Sequence, residues 1–346
     1  MTKEEFVVRL EAAAAVTQPL PVTTSLLRQL SDALRKGEPP WWPGVQKAWD
    51  KREFAPWEHP WAMFLACIHF EVLSDERSPL VPYFPSCDGA DEGVPPKAFE
   101  KFMAQLPPSF FANLASGQVR LYDKALAPLW IGSAALFFQR RKLPFHLVEI
   151  DAGAGLNLAA DKLFAQERFT SDLVAARIGL DSRPLSLQEL DDRRWLTALF
   201  LPDQMGLIAK LDQAMEKVRK LQRRDADFIQ LFHCPAEAAP EFIAKNVPAG
   251  DDGTGLLLLN VGTTGRMKDA EYAAYVAGMT RTMRPWRDRA LWVEVETPRG
   301  VLFPAEYQMR VHRLVEGELR QHLMASVDFV DKEVVYDLME SAKFLA

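Results

Sequence analysis

The stretch from Phe145 to Asn157, FHLVEIDAGAGLN, limits what this chain can fold into more than any other part of it. A short apolar run stops in a turn of small residues and restarts as a helical pattern. That order reads as a buried parallel strand, a glycine turn and a crossover helix. In an open parallel sheet, ligands bind beyond the carboxyl ends of the strands. Asp151, Ala152, Gly153, Ala154 and Gly155 occupy that place. Small side chains let a ligand approach the backbone, and the N–H groups opening the helix at Leu156 can donate to polar or anionic atoms. The segment therefore reads as a holder for a small polar ligand.

The chain changes texture at this strand. Before it, from Glu4 to about Lys142, helical patterns are broken by proline-rich stretches such as EPPWWPG at Glu38 to Gly44 and LPPSF at Leu106 to Phe110, with no clear strand. Pro60 to Leu73 is apolar on nearly all sides and predicts a buried helix, and Ala125 to Phe138 predicts a core helix. After Phe145, short apolar runs alternate with helical patterns, the signature of parallel βαβ units. The expected strands are Phe145 to Ile150, Val174 to Leu180, Phe228 to Phe232, Leu256 to Val261 and Leu291 to Val295. The expected helices are Leu156 to Ala165, Asp191 to Leu199, Asp203 to Leu221, Ala236 to Ala244 and Asp269 to Met283, and Val311 to Phe329 reads as an ambiguous strand pair at the sheet's edge. A length of 346 residues exceeds most single cores. We expect a helical front or cap domain over residues 1–143 and a doubly wound, Rossmann-like α/β domain over residues 144–346.

Charge and cysteine usage narrow the function classes. A net charge of −6 argues against a chain whose main business is neutralising phosphates along a nucleic acid. Cys67, Cys87 and Cys234 are scattered with no CxxC spacing, which indicates neither a disulfide framework nor a zinc site. The start, MTKEEFVVRLEAAAAV, carries acidic residues where a signal peptide needs a basic region, and no apolar stretch reaches the roughly 18 residues of a spanning helix. We expect a cytoplasmic protein with a small-molecule ligand, no nucleic-acid or membrane partner and no metal. Oligomeric state is not legible in the sequence.

Three ligand classes can be set against the glycine turn. A P-loop needs GxxxxGK followed by Ser or Thr, and no lysine lies in this turn. A dinucleotide fingerprint counted from Gly153 puts its third glycine at Leu158, which disfavours NAD. What remains resembles the first motif of class I S-adenosylmethionine-dependent methyltransferases, E-x-G-x-G-x-G, with Glu149, Gly153 and Gly155 at matching positions and Asp151 in place of the first glycine. A carboxylate at Asp151 either pairs with the cofactor's ammonium or repels its carboxylate. The alternative is a glycine turn that only lets a helix pack on its strand.

Longer stretches resemble a bacterial family of uncharacterised function, DUF2332. LVEIDAGAGLNLAAD, ending at Asp161, is similar to that family's turn, and Ala176 to Gln204 is similar to its R-x-G-x-D-x-x-P block and the WL-x-A-x-x-x-PDQ helix that follows. ACIHFEVL and SPLVPYFPS, the latter at Ser78 to Ser86, resemble its front helix and FYPS loop. Where members show QTNE-x-x-R, this chain has GQVRLYDKALAPLW. The resemblance implies a methyltransferase-type fold, S-adenosylmethionine as cofactor, and Glu149, Asp151, Gly153, Gly155 and Asn157 around it.

The same resemblance suggests further site residues, each with a plainer alternative. Asp181, at the end of the second strand, is the candidate for the ribose hydroxyls, or else a capping aspartate paired with Arg183. His233, with Cys234, stands where adenine-edge contacts are commonly made, or else is a satisfied strand-end histidine, and Asn260 opens a loop, NVGTTG, that can face the transfer site. That loop does not read NPPY or DPPY, so methylation of base amino groups is not supported. Arg177, Arg183, Arg193 and Arg194 are a clamp for an anion or a solvated ion network. Glu294 and Glu296 share one strand face, where one serves as a general base or both face solvent. The expected function is a methyltransferase acting on an unknown small molecule. The alternative is a non-catalytic binding or regulatory protein that kept the fold and lost the cofactor, and a hydrolase lacks any GxSxG elbow.

Overall fold

The computed structural model of the protein describes residues 1–52, 54, 59–117, 129–164, 171–247, 249–250, 253–299, 306–328 and 334–346. In chain order the α-helices are α1 (Lys3–Val16), α2 (Pro21–Arg35), α3 (Trp42–Trp49), α4 (Pro60–Ser74), α5 (Pro96–Met103), α6 (Pro108–Ser116), α7 (Ile131–Ala134), α8 (Ala160–Leu163), α9 (Leu190–Ala198), α10 (Met205–Arg224), α11 (Ala239–Asn246), α12 (Asp269–Met283) and α13 (Leu338–Leu345). The strands are β1 (Phe145–Ile150), β2 (Val174–Asp181), β3 (Gln230–His233), β4 (Gly255–Val261), β5 (Ala290–Glu296), β6 (Glu306–Val315), β7 (Glu318–Asp328) and β8 (Val334–Tyr336). By packing, the chain divides into Met1–Tyr122 with Gln188–Gln213, and Asp123–Leu187 with Ala214–Ala346. The sequence-based division at residue 143 follows the first strand. Division by packing instead follows two aromatic contacts: Phe138 stacks on Phe145 of β1 with ring centres 4.3 Å apart, and Trp195 of α9 meets Phe70 of α4 at 5.8 Å.

The second unit is built on an eight-stranded sheet of order β3-β2-β1-β4-β5-β6-β7-β8. Strands β1 to β5 are parallel, and β6, β7 and β8 extend the sheet antiparallel. This is the doubly wound α/β fold expected from the alternation of runs. Period-two alternation gives the sheet two buried faces. One presents Val148, Ile150, Leu256, Leu258 and Trp292 to Tyr275, Met279 and Met283 of α12 and to Ile243 of α11. The other carries Phe145, against which Trp130 and Phe138 pack. Truncating a fully buried anchor such as Trp286 or Trp292 to Ala would cost about 3–5 kcal/mol.

Several boundaries differ from expectation. β3 begins two residues later than the apolar run, at Gln230, because the ladder with β2 starts only at Ile178 opposite Gln230. The helix expected over Leu156 to Ala165 is a 3-10 turn, Asn157–Ala159, followed by the four-residue α8, and Ala165 lies outside the described residues. The core helix expected over Ala125 to Phe138 is, within the described residues, α7 followed by a π-helical turn, Ala135–Gln139. The ambiguous stretch after Val311 belongs to a hairpin. Val315 pairs with Glu318 across Glu316 and Gly317, whose φ angles of 53° and 82° are those of a type I′ turn matched to strand twist.

In the first unit, α1, α3, α4 and α6 meet through Phe6, Phe64 and Phe110, with Trp42 and Trp49 packed against Phe6. Helix α2 starts at Pro21, whose missing N–H is harmless there. Its next donors are capped from a distance: Asp203 accepts from Val22 N (2.8 Å), Thr23 N (2.9 Å) and Thr23 Oγ1 (2.5 Å). His69 of α4 is fully buried between the Phe200 carbonyl (3.0 Å from Nδ1) and the Ser86 hydroxyl (2.8 Å from Nε2), and burial pushes its ring down to about 4. No helix among the described residues is long and apolar enough to cross a membrane.

Candidate ligand site at the strand ends

β1 lies between β2 and β4, so strand order reverses beside it, and the chain leaves Ile150 at the point where open sheets hold ligands. The turn that follows needs the left-handed region at three residues. Asp151, Gly153 and Gly155 have φ of 60°, 59° and 74°, which glycine adopts freely and aspartate tolerates. Residues 152–160 are all buried. A methyl group on Gly155 would come within 3.0 Å of Ile229 and 3.3 Å of Leu158.

The turn is stitched to β2. Ala152 N donates to Leu180 O (3.1 Å), Leu185 N to Gly153 O (3.1 Å), and Gly153 N to Asp181 Oδ2 (2.6 Å). The other Asp181 oxygen accepts from Arg183 N (2.6 Å), and the residue is fully buried. Two strand positions back on the same face, a Cβ at Gly179 would collide with Leu231 and Ala152. Two further back, Arg177 forms a buried two-pronged ion pair with Asp161, Nη1 to Oδ1 at 2.9 Å and Nη2 to Oδ2 at 2.8 Å. Arginine, glycine and aspartate at alternate positions thus each grip one part of the segment from Gly153 to Asp161.

Of the residues named from the sequence, the structure joins two pairs. Glu149, buried on β1, accepts from Asn157 Nδ2 (2.7 Å), while Asn157 Oδ1 is buried with no hydrogen-bond partner among the described residues. Gly153 meets Asp181 as described. Two others stand elsewhere. Asn260 is fully buried with both ends of its amide engaged, Nδ2 donating to the Tyr275 hydroxyl (2.8 Å) and Oδ1 accepting from Trp292 Nε1 (2.9 Å). Its amide is therefore taken up inside the core instead of being turned toward a transfer site. His233 ends the edge strand β3 and is exposed. Arg194 pairs with Asp191 at 3.0 Å on the surface of α9.

Glu294 and Glu296 are neither solvent-facing nor a free base. Glu296 accepts from three successive backbone N–H groups, Thr263 (2.5 Å), Thr264 (2.8 Å) and Gly265 (3.1 Å), and so shapes the loop after β4. Glu294 accepts from Thr264 Oγ1 (2.7 Å) and Tyr272 OH (3.3 Å) and stands 3.2 Å from His312 Nε2. Burial raises the Glu294 carboxyl, but the hydrogen bond and charge of His312, the Thr264 hydroxyl and Arg310 outweigh it and hold it below its usual range. Burial and the Glu294 charge push the Tyr272 phenol up. His312 stacks on Trp292 with ring centres 4.2 Å apart. Sequence reasoning missed His312 and Tyr272, since the only signal for either was the shared face of the two glutamates. Among the described residues no group of His, Cys, Asp or Glu is placed to hold a metal ion.

Residues 7–169 and 163–330 match the family described as "Uncharacterized protein conserved in bacteria (DUF2332)". The chain belongs to this family. The DUF2332-like blocks read from the sequence now have physical roles: R-x-G-x-D is the β2 side of the glycine turn, PDQ is the cap of α2, and the FPS serine holds His69. No curated protein matches this DUF2332 chain. Among solved structures it is similar to the sugar N-methyltransferase KedS8 of a Streptoalloteichus species, with 16% identity over 64% of this chain and 76% of that one and a TM-score of 0.28. DesVI of Streptomyces venezuelae is 12% identical over 63% and 82%, with a TM-score of 0.23. CalS10, an amino pentose methyltransferase from Micromonospora echinaspora solved with S-adenosylmethionine bound, is 13% identical over 70% and 87%, with a TM-score of 0.24.

Proposed function

We propose that this DUF2332 protein is a cytoplasmic S-adenosylmethionine-dependent methyltransferase acting on a small-molecule acceptor. The observation that carries the reading is the left-handed turn of Asp151, Gly153 and Gly155 at the reversal of strand order beside β1. The fit of the residues to such a cofactor is uneven. Asn157 Oδ1, buried beside Glu149 without a donor among the described residues, suits an ammonium or hydroxyl group. Asp181 does not suit the ribose in this arrangement, because both its oxygens are taken by backbone N–H groups and it has no exposed surface. Glu149, Asn157 and the turn are thus the residues that would hold the cofactor. When bound, S-adenosylmethionine supplies an electrophilic methyl group. The chain's part is to position the acceptor in line and to exclude water.

The Asp181 bonds and the tight cover of Gly155 by Ile229 favour a second reading, a binding or regulatory protein on the same fold that no longer takes the cofactor. Calorimetric titration with S-adenosylmethionine and S-adenosylhomocysteine, on the wild type and on Asp151→Gly, separates the two. Binding by the wild type supports the methyltransferase. Binding only by Asp151→Gly supports the second reading.

A further inference from the structure

The loop after β4 is held from inside by Glu296 and from outside by Arg299, which donates to Thr264 O (2.8 Å), Met267 O (2.8 Å) and Asp269 Oδ1 (2.9 Å). The Arg299 guanidinium lies over the Tyr272 ring, 4.3 Å from its centre. Arg310 of β6 stands directly opposite Glu294 of β5 in the antiparallel ladder, which puts both side chains on one face about 5 Å apart at Cβ. The two carboxylates nearby are buried and already supplied with donors, Glu294 by Thr264, Tyr272 and His312, and Glu296 by three backbone N–H groups. Arg310 is half-buried, and among the described residues it donates only to the neutral side-chain oxygen of Gln308. A guanidinium offers five donors in a fork that matches an oxyanion.

We propose that Arg310, in the field of Arg299, binds the oxyanion of a small molecule, a carboxylate or a phosphate. The site lies at the carboxyl ends of β4 and β5, where the sheet offers ligands a crevice. Reading that molecule as the methyl acceptor rests on the proposed function. The oxyanion site itself rests on Arg310.

The test is a thermal-shift and calorimetric titration of the full chain with inorganic phosphate and with malonate, against chloride at matched ionic strength. The wild type should be stabilised by at least one of the two beyond chloride, and which one names the anion. Arg310→Gln should weaken that binding about tenfold or more, and Arg310→Lys, which keeps the charge but loses the fork, should weaken it less. Lys217→Gln, an exposed cation on α10, should leave it unchanged. No effect of either anion on the wild type would overturn the proposal, as would affinity unchanged in Arg310→Lys and Arg310→Gln. S-adenosylmethionine is titrated into the same preparations. Oxyanion binding without cofactor binding would leave the site standing and remove the methyltransferase reading.

Discussion

Gly155 shows how much one residue type decides at the strand ends. Its φ of 74° and the 3.0 Å approach of Ile229 to a would-be methyl mean that Gly155→Ala should destabilise the protein by about 1–3 kcal/mol in urea unfolding, and no loss would contradict this geometry. A large residue such as Arg at that position would damage the fold as well as any ligand site, so it cannot separate the two. His69 makes a second residue-scale prediction. Its ring is pushed from about 6.5 when unfolded to about 4 when folded, so its contribution is complete above pH 6.5 and is lost as pH falls toward 4. That window carries roughly 3 kcal/mol. His69→Gln should flatten the fall in stability between those limits relative to wild type, and parallel pH profiles would show that His69 is not held neutral.

Among elements, the cap of α2 is the clearest long-range device. Asp203→Ala removes the acceptor for two N–H groups and one hydroxyl of the first turn and should cost about 1–2 kcal/mol, seen as faster amide exchange at Val22 and Thr23. Exchange rates equal to wild type there would contradict it. The sequence located elements whose signals are local. Helix α12 spans the expected Asp269 to Met283, and β1 spans the expected Phe145 to Ile150, since periodicity and turn residues define both ends. Asp203 was read as the start of a helix because its partners lie about 180 residues away. Asn260, Glu294 and His312 were opaque for the same reason, whereas the plainer reading of Asp181 as a cap beside Arg183 agrees with its bond to Arg183 N. A polar residue at a strand end looks alike whether it meets a ligand, as expected, or a backbone N–H across the sheet, as found for Asp181. What could be read was the turn itself and the face shared by Glu294 and Glu296. What each carboxylate touches depends on register.

For the whole molecule, the buried segment from Gly153 to Asp161 and the R-x-G-x-D positions of β2 form one interlocked unit, with a buried ion pair, a close glycine contact and a carboxylate holding a backbone N–H. Such a unit fixes the backbone beside β1, and the loop after β4, fixed by Glu296, reaches the end of β1 through Thr263 Oγ1, 3.3 Å from the Ile150 carbonyl. The strand ends are therefore held in place before any ligand arrives. The most direct test of a cofactor site there is calorimetric titration of the wild-type chain with S-adenosylmethionine and S-adenosylhomocysteine. Saturable binding of one molecule per chain, weakened by Asn157→Ala, is the expected result. No heat from either compound, with the wild type or with Asp151→Gly, would contradict the reading of these strand ends as a cofactor site.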